Sequence, residues 1–409
     1  MRNKLRLNWP DCCGWIATAA GAAVLAVSVF SGSALAQTVK IGVVLTYSGP
    51  SASLGDQIDK GLSLYVKEHE KDLPSGVKVE LIKRDDTGPN PDVAKRLAQE
   101  LITRDHVQVL AGVVWSPNAA AIAPLATEAK VPFVIMNAAG AALTRASPYI
   151  VRVSFTLWQT TFPLGKWAVQ QGAKKAYIAV SDYAPGHDGE QAFTKSFQDA
   201  GGQIVGSVGV PLKDPDFVPY LQRAKDAAPD VLYVFVPSGK QAAAVMKAYS
   251  DLGLKADGVK LVGPQDIVPD AELPGMGDEA LGVISAGTYS FVSARPQNSA
   301  YVAAWKRAYG AESIPDFMSV GGWDGMAAIF DVIKATKGNF DGDKAMALLK
   351  GWKSAESPRG PIMIDPETRD IVEDVYIRRV EKTASGLGNV EFATNSQVKD
   401  PWKELNPPK

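Results

Sequence analysis

The chain has 409 residues, 46% of them hydrophobic and 21% charged, with a formal net charge of −1. That length and composition allow a large core in two domains or one elongated α/β body, and exclude wholesale disorder. No basic run is present, which argues against a nucleic-acid partner.

At the N-terminus Arg2, Lys4 and Arg6 precede an apolar run from Ile16 to Phe30, then Ser31-Gly32-Ser33 and Ala34-Leu35-Ala36. Basic segment, apolar segment and Ala-x-Ala site are the parts of a secretory signal peptide, residues 1–36, cleaved near Ala36. The apolar run is short for a membrane span, and no later segment is apolar enough for one. Cys12 and Cys13 fall in the removed segment and lack the small-residue pattern of a lipid-modified cysteine, so the mature chain is expected to hold no disulfide and no thiolate metal site. Loss of Arg2, Lys4, Arg6 and Asp11 removes three positive charges and one negative, taking the net charge to −3. A soluble protein of the periplasm is expected.

Val39 to Leu45 reads as the first strand, reaching a turn at Thr46-Tyr47-Ser48-Gly49-Pro50. Gly55-Asp56 open a helix to about Glu70. Val77 to Asp85 is a strand, and Pro91 to Arg104 a helix preceded by the turn residues Asp86, Thr87 and Asn90. Val107 to Val114 is an almost unbroken apolar run, as in a parallel strand covered on both faces. Ser116 then occupies the N-cap position and Pro117 the first helical position of a helix to Ala129. Val131 to Met136 is the next strand, and Asn137 to Ala142 form a turn of residues small enough to expose bare backbone. Two neighbouring strand ends, each opening onto helix N–H groups, suit a carboxylate or another small anion.

Ser147 to Ser154 is extended and leads to a second lobe, where strand and helix alternate again. Helices are expected at Thr160–Gln171, Gly189–Ala200, Phe217–Lys225 and Lys240–Leu252. Strands are expected at Lys175–Ser181, Gln203–Val210, Val231–Val236, Val259–Val262 and Leu281–Tyr289. Further helices span Asn298–Tyr309, Phe317–Lys337 and Ala345–Trp352. Pro361–Ile364, Ile371–Val380 and Val390–Ala393 then read as antiparallel strands and turns. The alternation implies parallel sheets with helices on both faces. Asp85-Asp86 has no second acidic cluster or histidine in support and reads as a solvated turn rather than a metal site. His69, His106 and His187 are scattered. Nucleophile-elbow, phosphate-loop, zinc and dinucleotide motifs are absent, so no enzyme, metal or cofactor is expected.

The order of the segments IGVVLTYSGPSASLGDQ, RDDTGPNPDVAKRLAQELI and the Ser116 turn resembles the periplasmic substrate-binding proteins of the branched-chain amino acid (Leu/Ile/Val) type, which feed ABC importers. The likeness runs over nearly all of the mature chain. It implies two Rossmann-like lobes joined by three crossovers, the type I periplasmic binding protein fold. The first lobe would be 38–155 with 291–355, and the second 156–290 with 356–409. It further implies a monomer that closes on a small organic ligand and docks the permease subunits of the transporter. By the same resemblance Ser116 holds the ligand carboxylate and Ala138, Ala139 and Gly140 offer backbone, without the threonine hydroxyl of the family pattern. Tyr183 contacts the ligand from the second lobe. Leu54 stands where the family often has an aromatic residue, and Pro237 where it has a tyrosine.

The family's Gly-Pro-Glu, whose carboxylate meets the ligand ammonium, reads Gly263-Pro264-Gln265. An ammonium closed in a cleft without a carboxylate is costly. Asp266 is the alternative carboxylate if the register shifts by one. With Trp115, Tyr47, Tyr183 and Phe317 as candidate aromatic walls, the expected ligand is a carboxylate with an aromatic or apolar body, not an α-amino acid. The alternatives are branched-chain amino acids, amides, urea-like ligands or aliphatic acids. From other classes they are a periplasmic hydrolase or a ligand-sensing subunit that docks a receptor. Phe317 and Trp115 also have plain core readings, and His187 a surface one.

Overall fold

The structure is a computed structural model that describes residues 37–408, so the signal segment expected at 1–36 lies outside the described residues. The first part alternates strand and helix up to β4 and then adds a fifth strand: β1 (Gln37–Leu45), α1 (Ala52–His69), β2 (Val77–Asp85), α2 (Pro91–Thr103), β3 (Val109–Gly112), α3 (Ser116–Ala129), β4 (Phe133–Ile135) and β5 (Ile150–Arg152). These strands form one sheet in the order β2-β1-β3-β4-β5, parallel throughout. The central strands are buried along their length, while edge strand β2 alternates, leaving Lys78 and Glu80 to solvent. Apolar runs therefore sit inside and the alternating run at the rim, as helices on both faces of a sheet require.

The chain then crosses to a second sheet. It adds α4 (Leu157–Gln170), β6 (Lys175–Ser181), α5 (Ala184–Asp199), β7 (Gln203–Val210), α6 (Val218–Asp226), β8 (Val231–Phe235), α7 (Lys240–Asp251), β9 (Lys260–Pro264), α8 (Leu273–Met276) and β10 (Ile284–Gly287). It returns to the first body as α9 (Pro296–Tyr309), α10 (Phe317–Thr336) and α11 (Gly342–Leu349). It crosses again to finish the second with β11 (Lys353–Ser354), β12 (Ile362–Ile364), β13 (Ile371–Thr383), β14 (Gly386–Val398) and α12 (Pro401–Leu405). The second sheet runs β11-β12-β13-β10-β9-β8-β6-β7, with β14 on β13. Its β7-β6-β8-β9-β10 part is parallel, and β13 joins β10 antiparallel. Two α/β lobes linked by three passages of chain result, as expected.

Helix α10 anchors the returning segment. It packs on α1 with backbone nearly touching backbone: a methyl on Gly61 would lie 1.9 Å from the Ser319 carbonyl oxygen, and one on Gly322 would lie 2.2 Å from that of Ile58. No side chain fits at such a crossing. Arg359, on the last passage, is buried and pairs with Asp324 of α10 at 2.9 Å and Glu373 of β13 at 2.6 Å. It also donates to the carbonyls of Val153 and Ser154 on the first passage. One guanidinium thus ties both lobes and two of the connecting segments together.

Element bounds differ from the sequence reading in a few instructive places. α1 begins at Ala52, before Gly55-Asp56, and α5 at Ala184, five residues before Gly189. The run Val107–Val114 is buried except for half-buried Gln108, yet only Val109–Gly112 is strand. Burial made the whole run apolar, whereas the ladder stops where the backbone must turn.

Candidate functional site

In parallel sheets, ligands sit beyond the C-terminal strand ends. Here the loops leaving those ends in the two lobes meet. A cavity of about 720 Å³ lies between them, lined by Ser51, Gly88, Trp115 and Pro117 from the first lobe and Leu212, Phe217, Pro237 and Gln241 from the second, with exposed Lys213 and Lys240 bordering it. The lobes also meet outside the residues that line this cavity: the Ala141 N–H donates to the Asp188 carboxylate of α5 at 2.8 Å. A methyl on Gly239 would lie 3.6 Å from Ser53 Oγ and 3.8 Å from Leu54 Cδ2.

The first-lobe wall begins with a strained turn. Val113 has φ of +64°, a conformation that costs a β-branched residue on the order of 1–3 kcal/mol. Its N–H donates to the Val44 carbonyl and its own carbonyl accepts from Ala138, at 2.8 and 3.1 Å, so the turn joins the ends of β1, β3 and β4. Trp115 is then the N-cap, with extended backbone and no side-chain cap, and Ser116 is the first helical residue of α3. This corrects the expectation that Ser116 caps the helix and Pro117 opens it. Freed from capping, Ser116 Oγ accepts the Gly140 N–H at 3.0 Å. Its hydroxyl proton remains available, as a serine can donate and accept at once.

The turn expected to offer bare backbone is largely committed. The Ala138 N–H goes to Val113, the Ala139 carbonyl accepts from Leu157 at 3.2 Å, and the Gly140 carbonyl accepts from Arg152 at 2.7 Å. Among the described residues, the Ala139 N–H and the Ser116 N–H find no acceptor. Those two amides, one at the N-terminus of α3 and one on the adjacent turn, and the Ser116 O–H are unspent donors of the kind an anion takes up. Their floor is a buried charge network: Arg152 pairs with Asp370 at 3.2 Å and Asp370 with Lys403 of α12 at 2.6 Å.

The second-lobe wall gathers at the ends of β6, β8 and β9. Tyr183 is the N-cap of α5, and its ring stacks on Phe235 with centroids 6.0 Å apart. Burial pushes its phenol well above the usual range, with the Asp266 charge adding to the effect. Ser238 Oγ donates to the Asp266 carbonyl at 3.0 Å. Gln265 and Asp266 open a short 3-10 turn after β9. Burial also pushes Asp266 up to about 7, against the pull of Arg378.

Of the residues singled out, the structure brings Ser116, Ala138, Ala139 and Gly140 together, and Trp115 and Pro237 line one cavity from opposite lobes. Leu54 reaches the seam at Gly239. Phe317 starts α10 and packs edge-to-face on Phe155 at 5.6 Å, in keeping with its core reading. Tyr47 does not line this cavity, and its hydroxyl bonds Asp59 at 2.8 Å. Asp86 is no solvated turn residue: it is fully buried and accepts from Thr46, Gly88 and Asn118, while Trp115 donates to the same Thr46 hydroxyl at 3.0 Å. Asp85 takes the backbone N–H groups of Tyr47 and Thr87. His187 is half exposed and pairs with Asp182. Among the described residues no group of three His, Cys, Asp or Glu is placed to hold a metal ion.

Asp188, Arg152 and Val113 escaped the sequence reading. Asp188 lies in the SDYAPGHDGE segment beside Tyr183, and an acid that close to a named site residue was the available signal. Arg152 and Val113 gave none, since a buried arginine and a positive φ at valine have no local signature.

The family profile described as "Periplasmic binding protein" matches residues 38–385. The Leu/Ile/Val-binding protein homolog 6 of Brucella melitensis biotype 1 is 40% identical over 383 residues, covering 93% of this chain and 98% of that protein. A solute-binding protein of an ABC transporter from Rhodopseudomonas palustris BisB5, solved with 3,4-dihydroxybenzoic acid, superposes with a TM-score of 0.86 at 49% identity, over 90% of this chain and 99% of that one. Another from R. palustris HaA2, solved with p-hydroxybenzoic acid, gives 0.86 at 45%, over 89% and 99%.

Proposed function

This chain belongs to the periplasmic binding protein family, and we propose that it captures an aromatic carboxylate in the cleft between its lobes and presents it to the membrane subunits of an ABC importer. The observation that carries this reading is the set of unspent donors: a serine freed from capping by Trp115, its own amide at a helix N-terminus and the Ala139 amide on the adjacent turn, with aromatic side chains across the cleft. The relatives solved with hydroxybenzoates support the same ligand class. The lobes are taken as 38–155 with 291–355 and 156–290 with 356–409, save that β11 (Lys353–Ser354) pairs within the second sheet, and they are hinged near Arg359. The ligand carboxylate meets Ser116 and Ala139 first. Closure then brings Tyr183 and the turn after β9 over the ring, and contacts made only in the closed form favour it. The protein is taken to work in the periplasm as a monomer that hands its ligand on unchanged, and membership of the periplasmic binding protein family supports that location.

A second reading, an α-amino acid, draws on one feature: the buried Asp266 has an oxygen without a donor, which an ammonium would satisfy. A thermal-shift panel separates the two. Benzoate-type acids raise the melting temperature and leucine, isoleucine and valine leave it unmoved; a clear shift with leucine overturns the aromatic reading.

A further inference from the structure

We propose that Gln265 and Asp266 together read a hydroxyl group on the ligand ring, at the end remote from the carboxylate. The inference rests on the ligand class proposed above. Gln265 is completely buried, and its side-chain oxygen accepts from the Thr288 N–H at 2.8 Å. A backbone N–H can only donate, so that bond settles which end of the amide is oxygen. The amide nitrogen is therefore the free end, and it has no acceptor in the protein. On the next residue, Asp266 Oδ2 is equally buried and has no donor. Both side chains leave the C-terminal end of β9, and Asp266 shares its surroundings with Tyr183 and Ser238 of the cleft wall.

One orphaned donor and one orphaned acceptor on consecutive residues call for a group that accepts and donates at once. A hydroxyl does both: its oxygen takes the Gln265 N–H and its proton goes to Asp266. Every near alternative fails on one side. An ammonium only donates and leaves the Gln265 nitrogen unpaired. A methoxy oxygen only accepts and leaves Asp266 unpaired. A bare ring edge leaves both, and a buried polar group stripped of its partner is costly. Sites built around a substrate hydroxyl discriminate strongly against the analogue that lacks it, for this reason. A trapped water also donates and accepts; a ring hydroxyl displaces such a water while repeating its bonds, whereas the other groups do not.

Position follows from the two walls. The carboxylate is gripped from the first lobe and the orphaned pair belongs to the second, so the hydroxyl lies across the ring from the carboxylate. Calorimetry with the full mature chain tests this using 4-hydroxybenzoate, benzoate, 4-methoxybenzoate, 2-hydroxybenzoate and leucine. We expect 4-hydroxybenzoate to bind about tenfold or more tighter than the other three aromatic acids. In Asp266→Ala and Gln265→Met that ratio falls toward one. Equal wild-type affinities for 4-hydroxybenzoate and benzoate, or a preference that survives in both variants, overturn the inference while leaving the aromatic reading intact. Binding of leucine with no binding of any aromatic acid overturns both. The wild-type ratio decides the matter even if a variant fails to fold.

Discussion

At Ser116, what a single side chain is free to do depends on what its neighbour does. Trp115 takes the N-cap position with its backbone, so the serine hydroxyl is not consumed by the helix. It instead accepts from Gly140 and leaves its own proton unspent, which the proposed function gives to a ligand anion. Ser116→Ala removes both roles, and a charge-assisted bond of this kind is worth about 1–3 kcal/mol. Calorimetry should show affinity for the aromatic acid lowered by that amount with melting temperature little changed. Unaltered affinity would remove Ser116 from the site. Gly140 is constrained from the other side. A methyl there would come within 3.2 Å of Ser116 Oγ, so Gly140→Ala should displace the hydroxyl and weaken binding by a comparable margin without unfolding the chain.

At the scale of elements, the turn at 138–142 depends on segments far away in sequence. Arg152, on β5, holds the Gly140 carbonyl, and Asp370 holds Arg152. Asp370 also receives Lys403 and Thr144, so the C-terminal helix α12 completes the support beneath the turn. Burial and the Asp370 charge act on Lys403 in opposite directions, and burial wins, lowering the lysine. Removing one member of a buried ionic cluster leaves the others uncompensated, at a cost of about 3 kcal/mol. Lys403→Met should therefore lower the melting temperature and also weaken ligand binding, although Lys403 touches no ligand. A fall in stability with unchanged affinity would show that the turn holds its shape without α12.

For the whole molecule, the distinctive feature is the number of carboxylates buried where the lobes join. Burial pushes Asp316 and Glu373 up to about 8, Glu272 to about 7, and Asp270 and Asp324 to about 6. Asp316 caps α10 in the first lobe, while Glu272 and Asp270 of the second lobe lie close enough to add repulsion. Each of these groups binds its proton more tightly folded than unfolded. Their contribution to stability is thus complete below the unfolded carboxyl range near ~4 and is lost as pH rises through the folded values. Asp85, Asp230, Asp343 and Asp365, which are lowered, act oppositely and only at more acid pH. Melting temperature should accordingly decline from pH 5 to pH 8.5. Asp316→Asn keeps a good helix cap and removes one titrating group, so its decline should be shallower. A wild-type profile that is flat or rising over this range would contradict the assignment.

Much of this architecture was legible in the chain itself. The apolar runs at β1, β3, β8 and β9, separated by amphipathic helices, dictated parallel strands covered on both faces, because such runs are stable only where water reaches neither side. Ser116 and the small residues at 138–140 were visible for a similarly local reason: a helix start and a bare turn follow from residue type and spacing. Folding alone decided which of their atoms stay free. Val113 takes its positive φ because three strand ends must be joined there, and Trp115 thereby becomes the cap. Gln265 and Asp266 could be named from sequence but not assigned roles. Only the bond from Thr288, 23 residues further on, shows that the amide nitrogen rather than its oxygen is left over. Local chemistry is written residue by residue, but whether a donor or acceptor is already spent depends on partners that only the folded tertiary structure supplies.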